Sequence, residues 1–350
     1  MSTLPEHDPL KSEDSSTPTE ARSPEPPPSE NWQPQPWLSE ARLSRPMPAE
    51  PVYSRIEQPP PLPSIVEPPL FQSWTQPPAR PPVRIPHFGH VLLLIPLFGL
   101  SLVVVVLFFL AAIHFHLYGV SAPQQAATEI HYLLGSEALL YIFTFAASLL
   151  IFPLFWHKSL LAGLQWNGAT ALRLRWRLIS AAGVCFLLAM VNGEFMPGPT
   201  NAPIEKIFHT PGAAWILFGF GITLAPFFEE MLFRGFLLPS LCTAYDWFAE
   251  KTRGKPTLPL GPNGHPQWSF AAMVFASIAT SIPFAAMHAQ QTGYSLGPFL
   301  LLICVSVVLC AVRLLTRSLA SSVMVHACYN FLLFSIMLVG TEGFRHLDKM

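Results

Sequence analysis

Long apolar runs dominate the chain from residue 88 onward, whereas residues 1–87 are polar and rich in proline. A bilayer core of roughly 30 Å requires about 20 helical residues to cross it. Closed barrels would need alternating strands of about ten residues, a pattern that this sequence lacks. The sequence therefore predicts an all-α, polytopic bundle of about seven transmembrane helices, at 89–113, 133–156, 176–195, 212–240, 269–289, 298–316 and 319–339.

The same pattern divides the chain into a tail at 1–87, a transmembrane bundle at 88–340 and a short C-terminal tail at 341–350. The first segment holds 23 of the 38 prolines. It has too little contiguous apolar surface to offset the entropy of ordering, so we expect a disordered tail with polyproline II character. Alternatively, this tail is a docking segment for a partner protein that recognises proline-rich sequences. No signal peptide is visible, so the first apolar run is expected to remain as an anchor.

Composition narrows the functional classes. Charged residues make up 12% of the chain, against about 25% in an ordinary soluble domain. The net charge of -1 gives no field that would attract nucleic acid. The five cysteines lie within or at the ends of apolar runs and form no CxxC pair, so we interpret them as small core residues.

Lysine and arginine in the loops predict the orientation. Eleven flank one side of the predicted spans and three flank the other. This distribution predicts a cytoplasmic N-terminus and an integral, multi-pass protein of the plasma (inner) membrane if the host is bacterial. The eleven are Arg80, Arg84, Lys158, Arg173, Arg175, Arg177, Lys251, Arg253, Lys255, Arg313 and Arg317, and the three are Lys206, Arg345 and Lys349.

Three charged residues interrupt the fourth run: Glu229, Glu230 and Arg234. Each charge near the membrane centre costs roughly 2.5–3.5 kcal/mol on insertion scales, which favours a paired or functional role. Glu230 and Arg234 are four residues apart and can pair on one helix face. Glu229 lies about 100° around the helix and cannot easily share that partner. It is therefore the candidate general acid or base.

Polar residues also interrupt two later runs. His288 lies at the end of the fifth run, and His326 and Asn330 lie one helical turn apart in the seventh. Both His326 and Asn330 can donate hydrogen bonds to a developing oxyanion. Three helices therefore supply polar groups that we expect to converge at membrane depth. The first three runs carry little charge apart from Glu194.

Over roughly residues 210–335 the chain resembles the CPBP family of intramembrane peptidases, which includes the type II CAAX prenyl endopeptidases and bacteriocin-processing proteins. The family pattern is EExxxR, FxxxH and HxxxN or HxxxD on successive helices. All three occur here in order: Glu229-Glu230 to Arg234, Phe284 to His288 and His326 to Asn330. Any one of these motifs is weak, whereas three in order within predicted spans are specific.

The resemblance implies an endopeptidase acting on membrane-associated peptide or lipidated protein substrates, with membrane lipid around it. By position, Glu229 and His288 would activate a water, Arg234 would hold Glu230 as a brace, and His326 and Asn330 would stabilise the oxyanion. A divalent metal such as zinc, held by Glu229, His288 and His326, is one alternative. Metal-free glutamate chemistry is the other, and HExxH is absent.

Two further functions are compatible with these residues. One is a non-enzymatic membrane scaffold or immunity protein on the same fold, since fold does not determine function. An inactive copy would be expected to lose a motif member, and none is lost. The other is a proton or cation transporter, because intramembrane Glu and His serve such pathways. Transporters usually show repeated halves, which this sequence does not show.

Overall fold

The computed structural model describes residues 84–196, 212–254, 256, 258–261 and 264–345. Residues 1–83 of the predicted proline-rich tail and residues 346–350 of the C-terminal tail lie outside this part of the chain. The described residues are helical with short connections, and they contain no β-strand.

Seven helices in the described part of the chain are long and apolar enough to cross a membrane. This confirms the predicted all-α architecture of an integral, multi-pass membrane protein. Large apolar side chains remain exposed along these helices, as lipid-facing surfaces require. Spans 1 to 7 are Phe88–His114, Ile130–Trp156, Arg175–Phe195, Ala213–Arg253, Phe270–Met287, Leu296–Thr316 and Leu319–Gly340.

Short helices connect some of the spans. A 3₁₀ turn at Leu117–Gly119 and a helix at Pro123–Ala126 join spans 1 and 2. Helices at Leu160–Gly163 and Gly168–Arg173 join spans 2 and 3, and side chains of Ser159 and Asn167 cap them. Arg317 and Ser318 alone separate spans 6 and 7, as the sequence predicts.

Span 4 is a broken helix rather than the regular one that its hydropathy predicts. An α-helical part at Ala213–Ile222 ends at Thr223, whose φ of -125° and ψ of -82° are not helical. The chain then forms an α-helical turn at Leu224–Glu230 and a π-helical segment at Met231–Leu237. Breaks of this kind in a membrane helix free backbone carbonyls, which other groups must satisfy.

Span 4 also extends beyond its predicted end at residue 240. Its last α-helical part, Leu238–Arg253, continues about 20 Å further at 1.5 Å per residue. The charged residues of this part lower its hydropathy without ending the helix. Asp246 lies within it and accepts hydrogen bonds from the backbone nitrogen of Ser269 at 2.9 Å and from its hydroxyl at 2.6 Å. The extension therefore holds the start of span 5.

The core lies between span 4 and its neighbours. Phe236 is fully buried and its ring lies 4.7 Å from that of Phe152 and 5.7 Å from that of Trp156. These contacts pack the π-helical segment of span 4 against span 2. A second cluster of apolar residues joins spans 3, 6 and 7.

Candidate active site

Glu230 is the most deeply buried acid of the site, with no exposed surface. Its Oε1 atom accepts a hydrogen bond from Nη1 of Arg234 at 3.0 Å, so the predicted pair forms one turn along span 4. The same oxygen accepts from Nδ1 of His326 at 2.9 Å. Glu230 thereby joins span 4 to span 7.

Arg234 extends these contacts to two more spans. Its Nη2 atom donates to the backbone oxygen of Ser306 at 3.1 Å and to its hydroxyl at 2.7 Å, both on span 6. Its guanidinium carbon lies 4.4 Å from the ring centroid of Phe284 on span 5. Phe284, the first residue of the FxxxH motif, therefore forms a cation–π contact with the arginine.

Glu229 faces both histidines without bonding directly to either. Its Oε2 atom lies 3.8 Å from Nε2 of His288 and 3.8 Å from Nε2 of His326. Protein hydrogen bonds are about 2.7–3.2 Å long, so these separations exceed direct bonding. They suit a small polar molecule that bridges the groups. Glu229 is also buried, with 8% of its surface exposed.

The hydrogen bonds on the opposite sides of both rings determine where their protons lie. Nδ1 of His288 is 2.9 Å from the backbone oxygen of Phe284, which can only accept, so Nδ1 carries the proton. Nδ1 of His326 faces the Glu230 oxygen that already accepts from a guanidinium, so it also donates. In the neutral rings both Nε2 atoms are therefore acceptors directed at Glu229.

Asn330 lies one turn beyond His326 on span 7 but contacts a different part of span 4. Its Nδ2 atom donates to the backbone oxygen of Gly221 at 2.8 Å. That carbonyl is in the last turn before the break at Thr223, where helix carbonyls lack intrahelical partners. Gly221 has no space for a side chain, since a Cβ atom would lie 2.8 Å from Phe334. One N–H of Asn330 therefore connects spans 7 and 4.

The structure places five of the six predicted site residues in one contiguous network: Glu229, Glu230, Arg234, His288 and His326. Asn330 is adjacent in span 7 and directed at the break in span 4. The catalytic roles assigned to these six residues remain predictions.

The sequence reasoning overlooked Glu137, so the statement that the first three spans carry little charge apart from Glu194 was wrong. Glu137 lies inside span 2 and accepts a hydrogen bond from the hydroxyl of Tyr141 at 2.8 Å. The Tyr141 ring stacks on Phe228, the residue before Glu229, with centroids 4.1 Å apart. A single acid in an apolar run was the signal that could have revealed it.

Arg313 was also misplaced, because it was counted among the loop charges between spans 6 and 7. It lies inside span 6 with only 2% of its surface exposed. Its Nε atom donates to the backbone oxygen of Arg234 and its Nη2 atom to that of Leu164, both at 3.2 Å. Its position within the sixth apolar run was a signal that it is buried.

Glu229, His288 and His326 are residue types that bind zinc, but their ligand atoms lie further apart than in a zinc site. Two histidine nitrogens and one carboxylate are a common catalytic zinc set, and both histidines have the outer hydrogen bonds that such ligands use. Zinc bonds of about 2.0–2.2 Å place neighbouring ligand atoms roughly 3.4 Å apart, less than the 3.8 Å seen here. Among the described residues no group of three or more His, Cys, Asp or Glu is arranged to hold a metal ion.

Fold and site together define a multi-pass membrane protein with a buried cluster of glutamate, arginine and histidine side chains from three spans. Residues 211–332 match the family model for type II CAAX prenyl endopeptidase, Rce1-like. This match confirms, over these residues, the resemblance to the CPBP family of intramembrane peptidases. No curated protein and no solved structure matches the chain.

Proposed function

We propose that this protein is an intramembrane endopeptidase of the CAAX-processing type, acting on peptide or lipidated protein substrates in the membrane. One observation carries the proposal: a buried carboxylate oxygen of Glu229 lies 3.8 Å from Nε2 of His288 and 3.8 Å from Nε2 of His326. The family match supports protease activity.

Glu229 and His288 are the residues proposed to activate the water. A water between them can donate its hydrogens to Oε2 of Glu229 and to Nε2 of His288, which leaves its oxygen lone pair free for attack. As the water attacks the peptide carbonyl, Glu229 takes one proton as general base. It then delivers that proton to the leaving amide nitrogen, so the carboxylate is regenerated.

His326 and Asn330 are the proposed donors to the oxyanion. His326 donates from Nε2 to the oxyanion when both of its ring nitrogens carry protons, and its Nδ1 then donates to Glu230. Asn330 uses one N–H on Gly221 and retains a second for the oxyanion. Arg234 braces this half of the site by holding Glu230.

A divalent metal such as zinc remains a proposal with Glu229, His288 and His326 as its ligands. In metallopeptidases the metal acts as a Lewis acid toward water and carbonyl. The spacing of the three residues favours chemistry by the side chains alone. A chelator distinguishes the two possibilities directly.

The proposed orientation places the N-terminus in the cytoplasm. Arg84, before span 1, pairs with Glu250, near the end of span 4, at 2.8 Å, so these two ends lie on one side of the bundle. With Arg313 buried, ten basic residues rather than eleven support that side. Labelling single cysteines introduced at Arg84 and Arg345 from outside intact cells tests this assignment, and labelling at Arg84 would reverse it.

The function is tested with purified protein reconstituted in vesicles and a fluorogenic peptide ending in a prenylated CAAX sequence. We expect cleavage by the wild type and none by Glu229→Gln, which has nearly the same shape. The same peptide without the prenyl group shows whether the lipid is required. Cleavage that survives a chelator identifies glutamate chemistry, whereas loss restored by added zinc identifies a metal enzyme. Absence of cleavage across CAAX and unrelated membrane-anchored peptides would refute the proposal.

A further inference from the structure

Arg313 is a buried cation whose hydrogen bonds go to backbone carbonyls. Within the described residues no carboxylate lies at ion-pair distance from it. Its two hydrogen bonds reach the carbonyls of Arg234 and Leu164, and its Nη1 atom has no partner there. A buried charge of this kind in a membrane span is expected to have a function.

The carbonyl of Arg234 needs an outside donor because of the π-helical geometry of span 4. In this segment the N–H of Leu238 bonds to the carbonyl of Phe233, five residues earlier. The next bond of the same type would run from residue 239 to the carbonyl of Arg234. Residue 239 is proline, which has no N–H. Arg313 supplies the missing donor at 3.2 Å.

We propose that Arg313 is a positioning residue that holds the π-helical turn of span 4 by bonding the Arg234 carbonyl, and that it thereby orients Glu229 and Glu230. The expected effect of Arg313 on catalysis rests on the proposed peptidase function. Its expected effect on the stability of the π-helical segment does not. Arg313 touches none of the predicted catalytic side chains directly, so it acts through the backbone of span 4.

The π-helical segment of span 4 matters because it determines how Glu229 and Glu230 are rotated around the helix axis relative to Phe236. A π turn contains one residue more than an α turn, and such turns frequently occur at functional sites. Near the C-terminal end of the π-helical segment, Phe236 is held by its contacts with Phe152 and Trp156. If the π turn rewound as α-helix, the part before it would rotate by about 100°, one residue of a 3.6-residue turn. Glu229 would then no longer face the two histidines.

The test removes the hydrogen bond from Arg313 to the Arg234 carbonyl and then supplies a backbone N–H at position 239 as a replacement donor. Arg313→Met deprives the Arg234 carbonyl of its partner. Adding Pro239→Ala supplies a backbone N–H that can continue the π-helical bonding to that carbonyl. The matched control adds Pro96→Ala instead, at an exposed proline inside span 1. Amide exchange of peptides covering Met231–Leu237 is measured together with kcat and KM.

We expect Arg313→Met to accelerate exchange in this segment about tenfold and to lower kcat about tenfold, with KM within about threefold of wild type. Pro239→Ala should restore both quantities at least partly, because the contact with Leu164 stays lost, whereas Pro96→Ala should restore neither. Unchanged exchange in the single variant, or equal effects of the two alanines, would overturn the proposal. If Arg313→Met does not fold, Arg313→Leu, which also lacks a donor, replaces it in the same comparison.

The two proposals fail in distinguishable ways. A wild-type protein without cleavage activity would refute the proposed function, and the exchange data would still decide the role of Arg313. Conversely, an active wild type whose segment exchanges normally without Arg313 would refute this inference alone.

Discussion

Breaking the ion pair of Glu230 and Arg234 on one side should destabilise the protein more than removing both charges. Arg234→Met leaves a carboxylate with no exposed surface and without its cationic partner, although His326 still donates to it. Removing one partner of a buried ion pair costs about 3–5 kcal/mol, because the other charge stays buried and uncompensated. Adding Glu230→Gln removes that charge and keeps an oxygen that accepts from His326.

The double variant still loses the two hydrogen bonds from Arg234 to Ser306. At about 1 kcal/mol each, this loss leaves a penalty of roughly 2 kcal/mol. The second substitution should therefore regain about 1–3 kcal/mol. With about 2–4 °C per kcal/mol, the conversion for a domain of roughly 250 residues such as the helical bundle, the double variant should melt about 2–12 °C above Arg234→Met.

The measurement is a thermal melt in detergent, paired with the cleavage assay. Ser306→Ala is the matched control, because it removes the 2.7 Å hydroxyl contact and leaves the ion pair intact. It should lower the melting temperature by only about 2–4 °C. The double variant should regain stability but not cleavage, since the brace on Glu230 is gone. Equal melting temperatures for the single and double variants would show that the two residues do not pair energetically.

Three further outcomes are expected. Glu229→Ala and His288→Ala should each abolish cleavage while leaving folded protein in the membrane, as judged by monodisperse elution in detergent; full activity of either purified variant would remove that residue from the mechanism. Tyr141→Phe should lower the melting temperature by about 2–4 °C through loss of its hydrogen bond, and Glu137→Gln should lower it less because an acceptor oxygen remains; the opposite order would contradict the assigned contact. Deleting residues 1–80 should preserve cleavage of a short peptide, because this segment lacks every motif residue; an inserted but inactive truncation would make it part of the enzyme.

Hydropathy alone predicts the seven spans, and the structure confirms each of them within a few residues except at the end of span 4. The reason is that lipid offers no hydrogen bonds, so an apolar run long enough to cross must be helical. Hydropathy does not predict the end of span 4, because Leu238–Arg253 contains charged residues yet keeps its helical backbone hydrogen bonds. Helical spacing similarly predicts the pair of Glu230 and Arg234, which requires only one helix.

Contacts between different helices could not be predicted from hydropathy or helical spacing. Spacing gives the angle of a residue around its own helix, but not which neighbour that face meets. The role of Asn330 at the oxyanion stays a prediction, but the sequence did not show that one of its N–H groups donates to the carbonyl of Gly221. For the same reason Arg313 was counted as a loop charge, although its position inside span 6 buries it against span 4.

The sequence by itself determined the membrane architecture and the three motifs, because each depends on local length, polarity and spacing. Only the tertiary structure decided that Glu229 meets both His288 and His326, since this depends on the relative height and rotation of three spans. It also decided the π turn of span 4. Pro239 lacks the N–H that could bond the Arg234 carbonyl locally, and Arg313, 79 positions along the chain from Arg234, donates to that carbonyl instead.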